Sequence, residues 1–270
     1  MRTILKLSVL ALSLAGVLAL TACDQKSNEN HIKVGISAGI DQQMWETIKK
    51  TAKDKYNLDV EVVTFNDFVL PNSALSSGDI DVNSFQHRPY LDKQIKERGY
   101  KLVEVGKTFV YPIAGYSRKI KSIDQLSDNA QVAVPNDPTN LGRSLLLLQK
   151  VGLIKLKEGT GLLPTSLDII ENPKHLKIVE IEAPQLTRAI DDDKIELAII
   201  NTTYSGQVGL TPGKNGLFVE DKDSPYVNII VAREDNKDSQ AVKELVEAYQ
   251  TDATIKAADA IYHGDAVKGW

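Results

Sequence analysis

An alternation of strand-like and helix-like segments in the first third of the sequence constrains the fold more than any other feature. Apolar residues recur three or four positions apart, as at Trp45 and Ile48, and place one face of a predicted helix against a sheet. The predicted elements are a strand at 32–36, a helix at 41–56 with Asp41 as its N-cap, a strand at 59–65, a helix near 70–77 and a strand at 80–84. This β-α-β-α-β order predicts parallel strands joined by right-handed crossovers.

The same order of elements returns in the middle of the chain. A helix, a short turn and a strand lead to Asn83 in the first half and to Asn201 in the second. This weak echo favours two α/β lobes of similar build over one large sheet. The later predicted elements are a strand at 131–134, a helix at 140–151, a strand at 176–181, a helix near 184–191, a strand at 195–200 and a closing pair of helices at 238–250 and 252–263.

The N-terminus has the pattern of a sorting signal. Arg2 and Lys6 form a positive region, and an apolar stretch over 7–20 follows it. The next residues, Leu20-Thr21-Ala22-Cys23, resemble a bacterial lipobox, in which the cysteine is lipidated and becomes the first residue of the mature protein. We therefore predict a signal peptide over 1–22 and a lipidated Cys23 with a polar tether over 23–30; a plain secretory signal with an incidental cysteine is the alternative.

The remaining composition describes an ordinary globular chain. Of the 270 residues, 32 are Lys or Arg and 36 are Asp or Glu, and removal of residues 1–22 leaves 30 basic and 36 acidic residues. This mild acidity argues against nucleic acid as a partner. A single cysteine forms neither an internal disulfide nor a thiolate-rich metal site. After the leader, no stretch approaches the roughly 18 apolar residues of a membrane span.

The residues that suggest a function follow the predicted strands. In open α/β sheets, ligands bind at the carboxyl ends of the strands. The segments found there are Phe65–Asn72 (FNDFVLPN), Asn83–Tyr90 (NSFQHRPY), Pro135–Arg143 (PNDPTNLGR), Asn201–Tyr204 (NTTY) and, near a later crossing of the chain, Ser224–Asn228 (SPYVN).

Aromatic side chains concentrate in the first two of these segments, although aromatic residues make up 6% of the chain. Phe68, Phe85 and Tyr90 together would form an apolar wall for a ligand side chain. Aromatic residues at strand ends are, however, more often part of the core than ligand contacts.

Polar residues in the other segments fit the ends of an amino acid. Arg143 can hold a carboxylate bidentately, and its predicted place in the first turn of a helix also favours an anion. Asn201 and Asn228 offer carbonyl oxygens to an ammonium group and amide donors to a carboxylate. A surface arginine or an ion pair at the helix end is the alternative role for Arg143. If the binding role is right, Arg143→Ala is expected to abolish binding and leave the fold intact.

The residues also leave an enzyme and a metal site as alternatives. His87 with Asp81 or Asp67 is the available acid–base pair, although nothing in the sequence places them together. The four histidines lack metal-ligand spacing, and we predict no metal and no cofactor.

Taken together, these motifs resemble one protein family. The segments FNDFVLPN, FQHRPY, VPNDPTNLGRSLLLL and NTTY, a terminal AVKGW and the lipobox are similar to those of the methionine-binding lipoproteins of bacterial ABC importers. The resemblance extends over residues 31–270.

The resemblance implies a fold and a set of site residues. The fold would be the two-lobed periplasmic-binding-protein fold, type II-like, with a mostly parallel sheet in each lobe and methionine between the lobes. The side-chain pocket would comprise Phe68, Phe85, His87 and Tyr90, the carboxylate clamp Arg143 with Asn140 nearby, and the readers of the amino-acid backbone Asn201 and Asn228.

It also implies how the chain is divided and where it works. Residues 31–112 and 226–270 would form the first lobe and residues 113–225 the second, with hinge crossings at 110–116 and 224–228. A lipid-anchored monomer would deliver methionine to the importer's membrane subunits. Asp24, directly after the lipidated cysteine, resembles an inner-membrane retention signal, so the expected location is the periplasmic face of the inner membrane. A related lipoprotein that binds another small amino acid or derivative is the alternative within the family.

Overall fold

The computed structural model describes residues 30–270, so the predicted signal peptide, Cys23 and most of the tether lie outside the described residues. The strands of this part are β1 (His31–Ser37), β2 (Asp59–Phe65), β3 (Val82–His87), β4 (Leu102–Val110), β5 (Ala114–Tyr116), β6 (Gln131–Pro135), β7 (Lys155–Leu156), β8 (Ile169–Glu171), β9 (Lys177–Ile181), β10 (Ile195–Ile200), β11 (Phe218–Val219), β12 (Val227–Arg233) and β13 (Val267–Lys268). None of its helices has both the length and the apolar character needed to cross a bilayer.

The helices lie between these strands. They are α1 (Asp41–Tyr56), α2 (Leu70–Ser77), α3 (Arg88–Arg98), α4 (Pro138–Lys150), α5 (Leu186–Ala189), α6 (Thr202–Ser205), α7 (Pro212–Asn215), α8 (Gln240–Tyr249) and α9 (Asp252–Tyr262). Short 3-10 turns occupy Ile123–Gln125, Ser166–Asp168, Ala183–Gln185 and Gly206–Val208.

Two sheets form the framework, which confirms the predicted α/β class. The first sheet has the strand order β13-β4-β12-β3-β1-β2, and the second has the order β11-β5-β10-β6-β9. Residues 111–113 and 220–226 connect the two sheets, so every strand of the second sheet lies between two stretches that build the first. The predicted lobe boundaries, 31–112 with 226–270 and 113–225, are compatible with this order.

The prediction of mostly parallel sheets is corrected by the pairing. β1 runs parallel to β2 and β3, and β6 runs parallel to β9 and β10. β12, however, is antiparallel to both β3 and β4, and β5 is antiparallel to β10 and β11. The reason is topological. The parallel pairs arise where a helix connects two strands. β5 and β12 instead directly follow the two connections between the sheets, and they run antiparallel to their neighbours.

Several predicted elements have the observed bounds. α1, β2, α2 and β10 begin and end where the sequence pattern places them. In α1, Trp45, Ile48 and Ala52 are buried in the core of the first sheet, as the helical spacing predicts. Asp41 is the first helical residue rather than the N-cap, which is Ile40.

Two boundaries near the cavity differ from the prediction. β3 spans Val82–His87 rather than 80–84, so Phe85 lies within the strand and α3 begins directly after His87. α4 begins at Pro138 rather than at 140, because the Asp137 carboxylate accepts a hydrogen bond from the Asn140 backbone N–H and caps the helix. Arg143 therefore lies in the second turn of α4, not the first.

Candidate functional site

A cavity between the two sheets collects all eight residues predicted for the ligand site. Its volume is about 390 Å³, a figure that includes space open to solvent. Its lining comprises Phe68, Phe85, Gln86, His87, Tyr90, Tyr111 and Asn228 from the segments that build the first sheet, and Asn140, Arg143, Asn201, Thr202 and Thr203 from those that build the second.

Three aromatic rings form one wall of this cavity. Phe68 lies in the loop before α2, Phe85 in β3 and Tyr90 in the first turn of α3. The ring centroids are 6.0 Å apart for Phe68 and Phe85, 6.4 Å for Phe68 and Tyr90, and 6.0 Å for Phe85 and Tyr90. The Tyr90 hydroxyl donates to the backbone oxygen of Phe68 at 2.6 Å, which holds the Tyr90 ring against the loop that carries Phe68. The wall is thus apolar and preorganised.

His87 is held as a neutral imidazole with a defined tautomer. Its Nδ1 accepts the backbone N–H of Tyr90 at 3.2 Å and caps α3, so the ring proton is on Nε2. Nε2 lies 3.4 Å from Oδ1 of Asn140. Burial, and then the charge of Arg143, lower the pKa of His87 to about 3. The imidazole therefore supplies a donor to Asn140 and no charge.

Asn140 uses its polar atoms on protein partners. Its Oδ1 also accepts from Nδ2 of Asn201 at 2.9 Å, and its Nδ2 donates to the Asp137 carboxylate at 2.9 Å. Although Asn140 lines the cavity, these bonds make it a residue that positions His87 and Asn201.

Arg143 is almost fully buried, with 3% of its side chain exposed, and most of its donors are already engaged. Nε donates to Oε1 of Glu220 at 2.9 Å, Nη2 donates to Oε2 of the same carboxylate, and Nη2 also donates to the Tyr111 backbone oxygen at 3.0 Å. The guanidinium carbon lies 4.5 Å from the ring centroid of Tyr226. Within residues 30–270 no hydrogen bond engages Nη1. The two donors, Nε and Nη2, that could hold a ligand carboxylate bidentately are thus bound to Glu220. Nη1 is the guanidinium nitrogen that remains for a ligand.

Two asparagines complete the polar part of the cavity. Oδ1 of Asn201 is buried and has no hydrogen-bond partner among the described residues. Asn228, in β12, donates from Nδ2 to the Phe85 backbone oxygen at 3.4 Å, which leaves its Oδ1 facing away from that bond. A buried carbonyl oxygen without a donor is costly, and it suits a ligand that brings an N–H group.

The structure adds two residues that were not predicted as site residues from the sequence. Glu220 follows β11 and carries no recognisable motif, yet it pairs with Arg143 across 77 positions of the chain. Tyr226 lies within the SPYVN segment and packs against both Arg143 and His87, whose ring centroid is 5.0 Å from its own.

The acid–base pair considered from the sequence does not assemble. Asp81 precedes β3, and its carboxylate accepts the Lys33 backbone N–H at 2.8 Å, at the opposite end of the strand from His87. The Asp67 carboxylate accepts the backbone N–H groups of Val69 and Leu70. Among residues 30–270, no group of three or more His, Cys, Asp and Glu side chains has the arrangement of a metal site.

Comparison with known proteins gives full-length matches. A family model described as NlpA lipoprotein matches residues 32–270. The D-methionine-binding lipoprotein MetQ of Salmonella typhimurium is 70% identical over 259 residues, which cover 96% of each chain. Lipoprotein 28 of Escherichia coli is 57% identical over 261 residues, again 96% of each chain.

A solved structure shows the same likeness in three dimensions. The crystal structure of the methionine binding protein MetQ superposes with a TM-score of 0.89 at 70% sequence identity, and the match covers 90% of this chain and 99% of that one.

Proposed function

The chain belongs to the NlpA lipoprotein family, and from that premise we propose that it is the substrate-binding component of an ABC importer and binds methionine in the cavity between its sheets. The observation that carries this proposal is the convergence, in one cavity, of an arginine donor, a buried carbonyl oxygen without a partner and an aromatic wall.

The two charged ends of an amino acid fit the polar groups. Nη1 of Arg143 would donate to the ligand carboxylate, and Tyr226 against the guanidinium keeps its plane fixed. Oδ1 of Asn201 would accept from the ligand ammonium, which gives this buried oxygen the donor that it lacks within the described residues. Asn228 lies on the same cavity and would accept from the ammonium as well.

The thioether side chain fits the aromatic wall. Phe68, Phe85 and Tyr90 are apolar and close-packed, and contact of a thioether sulfur with an aromatic ring contributes about 0.3–1.5 kcal/mol. Such contacts favour methionine modestly over leucine, which fills similar space without a polarisable sulfur.

Ligand contacts from both sides would favour a closed arrangement. Arg143 and Asn201 belong to the proposed second lobe, residues 113–225, whereas the aromatic wall and Asn228 belong to the proposed first lobe, residues 31–112 and 226–270. Methionine bound to both lobes shifts the population towards closure by its differential affinity for the closed form. Hinge motion would occur where residues 111–113 and 220–226 connect the sheets, and closure would create the surface that the importer's membrane subunits recognise.

The proposal also includes a lipid anchor at Cys23 and a role in binding without catalysis. Lipidation of Cys23 would hold a monomer at the periplasmic face of the inner membrane, and each buried CH₂ of an acyl chain adds about 0.8 kcal/mol to anchoring. We assign no enzymatic step, because both ring nitrogens of His87 are engaged, Nδ1 by the Tyr90 backbone N–H and Nε2 by Asn140.

Calorimetric titration with L- and D-methionine tests the function directly. The purified protein is first unfolded in guanidinium chloride, dialysed and refolded, which removes any ligand carried through purification. Circular dichroism before each titration establishes that the protein is folded.

One-to-one binding of either enantiomer, weakened at least tenfold by Asn201→Leu, supports the proposal and its site. Folded, ligand-free protein that binds neither enantiomer contradicts it. In that case titration with other amino acids tests the alternative of a family member with a different substrate.

A further inference from the structure

The two charged groups of the buried Arg143–Glu220 pair have different positions relative to the cavity. Among the described residues that line the cavity, Arg143 is the one with a formal charge, since the pKa of His87 is far below neutrality. Glu220 does not line the cavity, but its carboxylate forms an ion pair with the guanidinium of Arg143. The site thus combines a buried cation that lines the cavity with a buried anion that does not.

Several bonds hold Glu220 in this place. Its backbone N–H donates to the Ile113 oxygen at 2.9 Å, and the Ile113 N–H donates to Oε2 of Glu220 at 3.4 Å. Its side chain is 13% exposed and that of Arg143 is 3% exposed. In such surroundings the two charges interact strongly, and solvent screens them little.

We propose that Glu220, by neutralising Arg143, makes the cavity select zwitterionic amino acids over carboxylate anions that lack the ammonium group. This inference rests on the proposed function, and it assigns Glu220 as a specificity-determining residue that does not touch the ligand. The selectivity depends on the balance of buried charge, because an uncompensated charge in a poorly solvated site is costly.

The balance predicts different outcomes for ligands of different charge. With Arg143 and Glu220 both present, this buried pair has no net charge, and a zwitterionic ligand adds none. A carboxylate without an ammonium group brings one uncompensated negative charge. If Glu220 is made neutral, the guanidinium of Arg143 loses its counter-charge, and the same anion then supplies one.

The test compares methionine with 4-(methylthio)butanoate, the same molecule without its amino group, at pH 7.5. The smaller ligand fits wherever methionine fits, and its carboxyl group is ionised at this pH. Calorimetry or ligand competition on the refolded protein gives both affinities for the wild type and for Glu220→Gln, which preserves the shape of the side chain and removes its charge.

We expect Glu220→Gln to bind the anion about tenfold more tightly than the wild type does, and to reduce the preference for methionine by at least that factor. A parallel loss of both affinities with an unchanged preference overturns the inference, because a merely structural role would act on both ligands alike. Glu171→Gln is the matched control: it removes the same charge at a side chain that is 57% exposed, and it leaves the preference unchanged.

Glu220→Asp keeps the proposal testable if Glu220→Gln fails to fold. The shorter side chain retains the charge, so the preference is expected to stay within about threefold of the wild type even where both affinities fall. A preference that collapses in Glu220→Asp shows a geometric role and overturns the inference. Wild-type protein that binds no methionine is a separate result, which removes the proposed function and the inference with it.

Discussion

The imidazole of His87 meets the side-chain amide of Asn140 across the cavity, with Nε2 of the histidine 3.4 Å from Oδ1 of the asparagine. His87 ends β3 of the first sheet, and Asn140 lies in the first turn of α4, which flanks the second. Because Nδ1 of His87 accepts from the Tyr90 backbone, the Nε2 proton points to Asn140. The contact therefore links the two halves of the molecule through a histidine that has to be neutral.

Methionine affinity is expected to fall on acidification for this reason. Burial and the Arg143 charge lower the pKa of His87 to about 3, and exposure in an open form returns it towards its ordinary value of about 6.5. Between these values the open form binds a proton that the closed form does not, so acid favours opening. Affinity is nearly full above about pH 7.5, and at pH 5 calorimetry is expected to show a loss of about tenfold or more.

Two asparagine variants separate His87 from other titrating groups. His87→Asn retains an acceptor for the α3 cap and removes the titration, so its affinity is expected to vary little between pH 5 and 7.5. His175→Asn changes an exposed histidine and is expected to keep the wild-type pH dependence. Equal wild-type affinities at the two pH values contradict the linkage.

A buried carboxyl group at the start of α1 predicts that stability also depends on pH. Asp41 accepts a hydrogen bond from the Tyr262 hydroxyl of α9, and burial raises its pKa to about 7. The folded state keeps this proton between pH 4 and 7 whereas the unfolded state releases it, so the contribution of Asp41 becomes unfavourable as pH rises through that window. At pH 8, Asp41→Asn is expected to raise the free energy of unfolding by about 2–4 kcal/mol.

Urea unfolding at pH 4.5 and 8 checks this expectation. The difference between Asp41→Asn and the wild type should be small at the lower pH and large at the higher one. Asp54→Asn, an exposed change in the same helix, serves as the control and should shift stability equally at both. A stability difference for Asp41→Asn that does not change with pH refutes the assignment.

The sequence predicted the elements whose pattern is local. α1 and β2 have the observed bounds because helical periodicity and a run of β-branched residues each act over a few positions. The eight candidate site residues meet in one cavity because ends of strands in open sheets converge. Their roles as ligand contacts remain a prediction.

The missed features depend on distant partners. The prediction ended β3 at 84, whereas the strand continues to His87, and the buried amides of Asn72 and Gln86 hydrogen-bond the Asn83 side chain within it. The pairing of Glu220 with Arg143 has no local signal, because the two residues are brought together by the second sheet. Antiparallel β12 was missed for the same reason.

Gly142 offers a test of how α4 is supported. A Cβ at this position would lie 2.5 Å from the Leu162 backbone oxygen and 3.1 Å from Cα of Leu163. Gly142→Ala is therefore expected to destabilise the protein by about 1–3 kcal/mol, although alanine favours helices. Because α4 carries Asn140 and Arg143, methionine affinity should fall too.

A neighbouring residue in α4 provides the matched control for Gly142→Ala. The Ser144 hydroxyl is buried without a hydrogen-bond partner in the described part of the chain. Ser144→Ala is expected to leave stability and affinity unchanged or slightly improved. Urea unfolding and calorimetry on both variants give the comparison, and a Gly142→Ala protein as stable as the wild type shows that the loop at 162–164 yields freely.

Substitutions in the buried Arg143–Glu220 ion pair are expected to affect stability and methionine binding differently. From the sequence, removal of the Arg143 side chain should leave the fold intact, but the structure predicts otherwise, because Glu220 would remain buried and unpaired. Arg143→Met is expected to lower the free energy of unfolding by about 3–5 kcal/mol. The double variant Arg143→Met/Glu220→Met is expected to regain most of this stability, because apolar residues of similar size replace buried ion pairs well. Both proteins should bind methionine at least about a hundredfold more weakly than the wild type, because each lacks the Nη1 donor for the ligand carboxylate. Urea unfolding and calorimetry at pH 7.5 measure the two effects, and a double variant with wild-type affinity would remove Arg143 from the ligand site.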